Sequence, residues 1–303
     1  MKIGCIATDD GPKAVVLHDK KYYDIAEIIG EDLIEAERSF FYSIQKNASK
    51  IHRFFAEEEF DNRQTCIPNS YLLPVPYINQ IRDFYAFEEH VRNARSKRGL
   101  DVPAEWYEFP AYYYSGNSSL YPSDSVIPYP GFTSELDFEL EVAAIIGKEG
   151  RNIPPGDAWE YIFGFLLMSD WSARDQQRKE MKIGLGPSKS KDFATSFARF
   201  FVTTDEFQRR IDEESKINVE LWATVNGREY TRNNLNTIHW TFPEMISWAS
   251  MDVTLKPGDI IMSGTVGNGC ILELGHEKFG WLKPGDKVRF GSDVLGTLVG
   301  NIG

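Results

Sequence analysis

The stretch Leu136-Asp137-Phe138-Glu139-Leu140-Glu141-Val142 sets acidic and apolar residues in alternation. That period is the period of a strand, and it sends Asp137, Glu139 and Glu141 to one face. Like charges that close repel, and burying them unpaired is costly. Two readings follow. The face is a solvated acidic decoration, or it holds a divalent cation, because hard cations take several carboxylate oxygens. Motifs further along the chain favour the cation.

The chain has 303 residues, enough for one large domain or two modest ones, and its hydrophobic share of 42% supplies an ordinary core. Lys and Arg number 33 against 45 Asp and Glu, a net charge of -12. That balance argues against nucleic acid and against an anionic membrane surface as main partners. An anionic substrate therefore needs a metal, or Lys and Arg placed in the site. Cys5, Cys66 and Cys270 are widely spaced and form no Cys-x-x-Cys pair. The pattern suits neither a disulfide framework nor a structural zinc site, and a reducing, cytoplasmic setting fits it. No apolar run approaches the roughly 20 residues of a membrane span. The opening MKIGCIATDDGPK carries no cleavage-like signal.

Residues 1–75 read as a small N-terminal α/β module, and 76–303 as the main domain. Short strands are expected at 3–7 and 14–17. A loose helical rhythm through Leu33, Ile34, Phe40, Phe41, Ile44 and Ile51 predicts a helix over 31–57. A proline-rich, extended linker follows at 67–76. A second helix is expected over 84–98, ended by Gly99. Beyond residue 135 the chain alternates short strands and turns. A continuous apolar run predicts a buried strand at 162–168, and further strands are expected at 197–203 and 217–225. The last is closed by Asn226-Gly227, a hairpin signal. A helix with Pro243 in its first turn is expected over 241–251. Lys-Pro-Gly-Asp occurs at 256–259 and again at 283–286, each a type II turn signal before an apolar strand.

Several residues could carry chemistry. Asp83 and His90 are seven apart, about two helical turns, so a helix would set them on one side. Asp83 could equally be an N-cap. Asp170 leaves the end of the expected buried strand, where polar residues often meet a site. On a helix Asp170, Arg174 and Gln177 would share a face; the plainer reading makes Asp170 a cap. Lys189 and Lys191 lie in a Gly- and Lys-rich loop without the residue order of a phosphate loop, which excludes nucleotide binding there. Otherwise they are solvated surface lysines. Gly264, Gly267 and Gly269, between Ser263 and Glu273, permit close approach to a ligand or form a plain hairpin.

Together these strings resemble the fumarylacetoacetate hydrolase family, from about Asp83 to the C-terminus. Asp-Phe-Tyr with a later His matches at 83–90, and Leu-Asp-x-Glu-x-Glu at 136–141. Asp-Trp-Ser-Ala-Arg-Asp at 170–175 is the most specific string. Leu-Gly-Pro with Lys-x-Phe-x-Thr follows at 185–195, then Ser-Gly-Thr at 263–265 and Leu-Glu-Leu at 272–274. The resemblance implies an α+β fold, mainly β with some α: a mixed β-roll or β-sandwich catalytic domain of the fumarylacetoacetase C-terminal type. It implies Asp83, Glu139, Glu141 and Asp170 as ligands of Mg2+, alternatively Ca2+ or Mn2+. His90 and Glu273 would activate water. Arg174, Gln177 and Lys191 would stabilise charge, and Tyr85, Tyr113 and Thr265 would contact substrate. The implied activity is hydrolysis of a carbon–carbon bond in a fumarylacetoacetate-like or acylpyruvate-like diketo acid, by a homodimer. Alternatives on the same metal site are decarboxylation of oxaloacetate and isomerisation or hydration of a dienoate. A non-catalytic metal protein on this fold is a further alternative, but it leaves His90 without a purpose.

Departures touch the substrate end. Tyr114-Ser115-Gly116 stands where the family's diketone hydrolase has His-Gly-Arg, Arg98 falls one place from a family arginine, and Ala194 replaces a glycine. These leave the acyl group open.

Overall fold

Nine consecutive buried residues, Ile162–Asp170, form the strand around which the chain is organised. The computed structural model describes residues 1–31, 33, 39–57 and 65–303. Ile162–Asp170 pairs antiparallel with Leu140–Ile146 on one side and with Thr195–Phe197 and Phe201–Thr203 on the other. The expected strand at 197–203 is thus two strands, broken where both halves turn to different stretches of the same neighbour. Beyond Leu140–Ile146 the sheet continues through Ile260–Met262, Ile81–Phe84 and Tyr112–Ser115. At the far side Lys2–Thr8 pairs with Phe201–Thr203, so the N-terminal strands extend the same twelve-stranded sheet.

A second sheet of five strands runs Arg228–Asn234, Glu220–Val225, Lys287–Ser292, Gly296–Ile302 and Val126–Ile127. The fold is the expected mixture, mainly β with some α. Alternation along the central strands separates two cores. Leu140, Val142, Ala144, Phe165 and Leu167 pack with Leu221, Val288, Phe290 and Leu298 of the second sheet. Ala143, Ile145, Leu166, Met168 and Ile81 face the other way, onto Ile3, Phe40, Phe41, Ile44 and Ile51. The N-terminal segment therefore covers one face of the main sheet. Where one helix was expected over 31–57, the described residues hold two, Ser39–Lys46 and Ala48–Ala56, after a short helix Ile25–Ile29; Ile34 of the predicted rhythm lies outside the described residues. Among the described residues no helix is long and apolar enough to cross a membrane.

Local signals hold well in the C-terminal half. Asn226 and Gly227 both have positive φ, 51° and 82°, as the primed turn between Glu220–Val225 and Arg228–Asn234 requires. Both Lys-Pro-Gly-Asp turns close, with the Asp259 N–H 2.9 Å from the Lys256 carbonyl and the Asp286 N–H 3.0 Å from the Lys283 carbonyl. Phe242–Ser250 is helical, and the Glu244 carboxylate accepts from the Thr241 N–H at 2.8 Å. The second expected helix is shorter than its pattern. It runs Glu88–Ser96, because residues 81–84 are drawn into the sheet as a strand.

Two buried devices fix the segments that carry Asp83 and Lys191. Arg82 and Asp259 face each other at 3.2 Å, both almost fully buried, and tie Ile81–Phe84 to the turn before Ile260–Met262. Asn79 adds a 2.6 Å bond to the same carboxylate. Glu180, on the helix Arg174–Ile183, holds the loop that follows it. It accepts from the N–H of Ser188 and of Ser190 at 2.9 and 3.1 Å, and from the Ser190 hydroxyl at 2.5 Å. Lys191 is the next residue.

Both devices are testable. Asp259→Ala leaves a buried guanidinium unpaired, and urea unfolding should show a loss of about 3–5 kcal/mol. Glu180→Ala strips the acceptor from two loop N–H groups, a cost of about 1–3 kcal/mol. Amide hydrogen exchange at Ser188 and Ser190 should speed up in that variant; unchanged exchange would mean the loop is held by something else.

Candidate active site

Three strands of the main sheet each present one carboxylate where the sheet ends. Asp83 lies on Ile81–Phe84, Glu141 on Leu140–Ile146, and Asp170 is the last residue of Ile162–Asp170. Strand alternation puts all three on the face that the N-terminal segment covers further down. All are buried, Glu141 and Asp170 completely. Asp83 is therefore neither an N-cap nor on the helix of His90, and Asp170 is neither a cap nor part of the helix Arg174–Ile183. The expected helical faces are replaced by strand positions because the flanking residues pair in the sheet.

The acidic stretch is buried, which removes the solvated reading. It is also not one strand: Leu136–Asp137 pairs with Ser172–Ala173, and pairing resumes at Leu140. Asp137 accepts from the N–H of Ile271 and Leu272 at 2.8 and 3.0 Å, so it caps the single turn Ile271–Leu274. That turn stands where a hairpin was one reading. Arg174, buried, donates to Asp137 and to Glu139, each at 2.8 Å, and to the Gln177 carbonyl at 2.9 Å. Lys191 donates to Glu139 at 2.5 Å and sits 2.8 Å from Asp170. Lys189 is a solvated lysine paired with Asp192, but Lys191 is not.

The carboxylates divide into satisfied and unsatisfied. Both oxygens of Glu139 are partnered, and although burial pushes its carboxyl up, Lys191 and Arg174 outweigh it and hold it at about 2. One oxygen each of Asp83, Glu141 and Asp170 is buried without a hydrogen-bond partner. Burial, then the nearby Asp170 charge, raises the Asp83 carboxyl far above the usual range. Burial, then Asp83 and Glu139, does the same to Glu141. Asp170 is raised by burial, against which Lys191 pulls.

Beside this cluster stands a second pair. His90, on the helix Glu88–Ser96, places Nδ1 2.7 Å from Oε2 of Glu273. The other Glu273 oxygen accepts from Asn93 at 3.1 Å and from the Asn268 N–H at 2.9 Å, and the Cys270 thiol lies 3.3 Å from Oε2. Burial opposes ionisation of Glu273, but His90 and these donors lower it. Tyr85 meets the imidazole edge-on, ring centres 5.3 Å apart. Tyr113 donates to Asp170 at 2.6 Å, and Thr265 approaches Glu141 at 3.5 Å. The carbonyl of Gln177 is taken by Arg174, which leaves its amide NH2 to donate elsewhere.

Sequence reading did not single out Asn93, Asn268, Cys270 or Glu180. Asn93 had a weak signal, a polar residue one turn from His90 on the same helix. Glu180 had a similar one, three residues beyond Gln177.

A family model described as "Fumarylacetoacetate (FAA) hydrolase C-terminal" matches residues 79–302. Fumarylacetoacetase of Oryza sativa subsp. japonica is 29% identical over 284 residues, 77% of this chain and 66% of that protein. Oxaloacetate tautomerase YisK of Bacillus subtilis is 34% identical over 183 residues, 59% of this chain and 56% of that one. The chain thus spans less than two thirds of the length of either relative. Fumarylpyruvate hydrolase from Pseudomonas aeruginosa, solved with Mn2+ and pyruvate, shares the fold with a TM-score of 0.60 at 21% identity, over 80% of this chain and 93% of that one. With the family match covering most of its length, this chain belongs to the fumarylacetoacetate hydrolase family.

Proposed function

We propose that the chain is a divalent-cation-dependent hydrolase that cleaves a carbon–carbon bond in a fumarylacetoacetate-like or acylpyruvate-like diketo acid. The observation that carries this reading is the set of three unpartnered, buried carboxylate oxygens on Asp83, Glu141 and Asp170. An all-oxygen donor set of this kind fits a hard cation, Mg2+ first and Ca2+ or Mn2+ as alternatives. Asp83, Glu139, Glu141 and Asp170 would hold it. When bound, the cation would polarise a 1,3-dioxygen unit and so favour departure of the carbon leaving group as an enolate.

The chain's own residues do the rest. Glu273 fixes the imidazole of His90 through Nδ1, which aims Nε2 as the base that takes a proton from water. Asn93 and the Asn268 N–H keep Glu273 in place. The Gln177 amide, and the Lys191 donor not used on Glu139 or Asp170, can stabilise the oxyanion formed by attack. Arg174 is committed to Asp137, Glu139 and Gln177, so its part is to orient them. Tyr85 and Thr265 remain as contacts for substrate, and Tyr113 orients Asp170. Decarboxylation of oxaloacetate is the second reading; the Bacillus relative, described as an oxaloacetate tautomerase, supports only oxaloacetate as a candidate substrate. The intact His90–Glu273 pair favours hydrolysis, since loss of carbon dioxide needs no activated water.

Two measurements test this. Metal-stripped protein given Mg2+ at about 100 times its Kd should gain about 2.7 kcal/mol of stability, and Asp83→Ala should abolish that gain. Proton NMR of products from fumarylacetoacetate, acetylpyruvate and oxaloacetate should show Mg2+-dependent acetoacetate or acetate. His90→Gln should slow that release by about 10²–10⁴-fold with Mg2+ affinity unchanged. Pyruvate from oxaloacetate alone, with the diketones untouched, would instead establish the second reading.

A further inference from the structure

Cys270 is the residue of the site that the proposed chemistry does not use. Its thiol is fully buried, 3.3 Å from Glu273 Oε2, the same oxygen that meets His90 Nδ1 at 2.7 Å. One ligand atom each from His90, Cys270 and Glu273 lies within 4.8 Å of the other two. The frame around them is fixed: Asp137 holds the N–H groups of Ile271 and Leu272, and Glu273 is held by Asn93 and Asn268.

We propose that His90, Cys270 and Glu273 form a second cation site, inhibitory and selective for a borderline-soft ion such as Zn2+. One nitrogen, one sulfur and one carboxylate oxygen, with a fourth position left open, is a donor set that zinc accepts and Mg2+ does not. The two sites therefore sort ions by hardness: oxygen-only for the hard cation, mixed for the softer one. On binding, the cation displaces the Cys270 thiol proton to solvent. It takes Nδ1 of the neutral imidazole, so the ring proton resides on Nε2. The nitrogen that should accept a proton from water is then blocked, and Glu273 no longer supports the imidazolium. The inhibition rests on the water-activating reading of His90; the binding does not.

Co2+ serves as the optical probe, added to full-length protein already saturated with Mg2+. The expected result is a thiolate-to-cobalt charge-transfer band in the near ultraviolet, saturating at one equivalent. The band should vanish in Cys270→Ser and persist in Cys66→Ser. No band, or a band that survives Cys270→Ser, overturns the site. Should Cys270→Ser fail to fold, X-ray absorption of the zinc-loaded native protein decides instead, through a sulfur neighbour at about 2.3 Å. In the turnover assay Zn2+ should inhibit the native protein. In Cys270→Ser its apparent affinity should fall more than about tenfold, since even an outer partner of a metal ligand is worth about 10–100-fold. Each variant is scored against its own zinc-free rate. A cobalt band without zinc inhibition leaves the site standing and overturns the base role of His90.

Discussion

Among the described residues, five buried carboxylates, Asp83, Asp137, Glu139, Glu141 and Asp170, converge with two buried cations, Arg174 and Lys191. With all of them ionised, the balance is five negative charges against two positive. The rest of the site follows from how that imbalance is handled. Arg174 and Lys191 are enough to satisfy Asp137 and Glu139 and one side of Asp170. Asp83, Glu141 and the second oxygen of Asp170 are left over. Without a further cation, burial and mutual repulsion drive Asp83 and Glu141 toward the protonated form. A divalent ion reverses that pressure.

The sheet explains why such an unfavourable cluster can exist at all. Asp83, Glu141 and Asp170 sit on strands of one sheet whose other residues are packed into two apolar cores, and Asp137 and Glu139 lie just before Leu140–Ile146, so the carboxylates cannot drift apart to relieve repulsion. Asp83 is held from behind by the Arg82–Asp259 pair, and Lys191 by the Glu180 anchor. Stability is thus supplied by the body of the sheet, and strain is confined to its end. The same division separates the two halves of the proposed site. Strands carry Asp83, Glu141 and Asp170, while a helix and a single turn carry His90 and Glu273.

Much of this was legible in the sequence, for identifiable reasons. The strand at 162–168 announced itself because both faces are buried, and the turns at 226–227, 256–259 and 283–286 because only certain residues take those backbone angles. Which residues meet was legible through motif order more than through periodicity. Helical spacing suggested that Asp83 shares a face with His90, and Asp170 with Arg174. The sheet overrode both, since strand pairing with distant segments is invisible to local pattern. The split role of the acidic stretch was likewise hidden, because Asp137 takes its partners from residues 174, 271 and 272. Glu180 and Asn93 act on backbone or side chains that only the fold brings near.

Cys270 shows where pattern reading stops for a different reason. Zinc sites are recognised in sequences by close pairs of cysteines and histidines, because short spacing lets one turn present two ligands. Here the three donors span residues 90 to 273, and only Cys270 and Glu273 are close in sequence. The helix Glu88–Ser96 contacts the turn Ile271–Leu274, and that packing, required anyway to join His90 to Glu273, brings the thiol within reach as a consequence. A His–Glu pair of the kind proposed to activate water is by construction a nitrogen and an oxygen at ligand distance. Adding one sulfur beside it changes the preferred occupant from a proton to a soft cation. The residue at position 270 is therefore the place where sensitivity to such ions is set, independently of the oxygen site beside it.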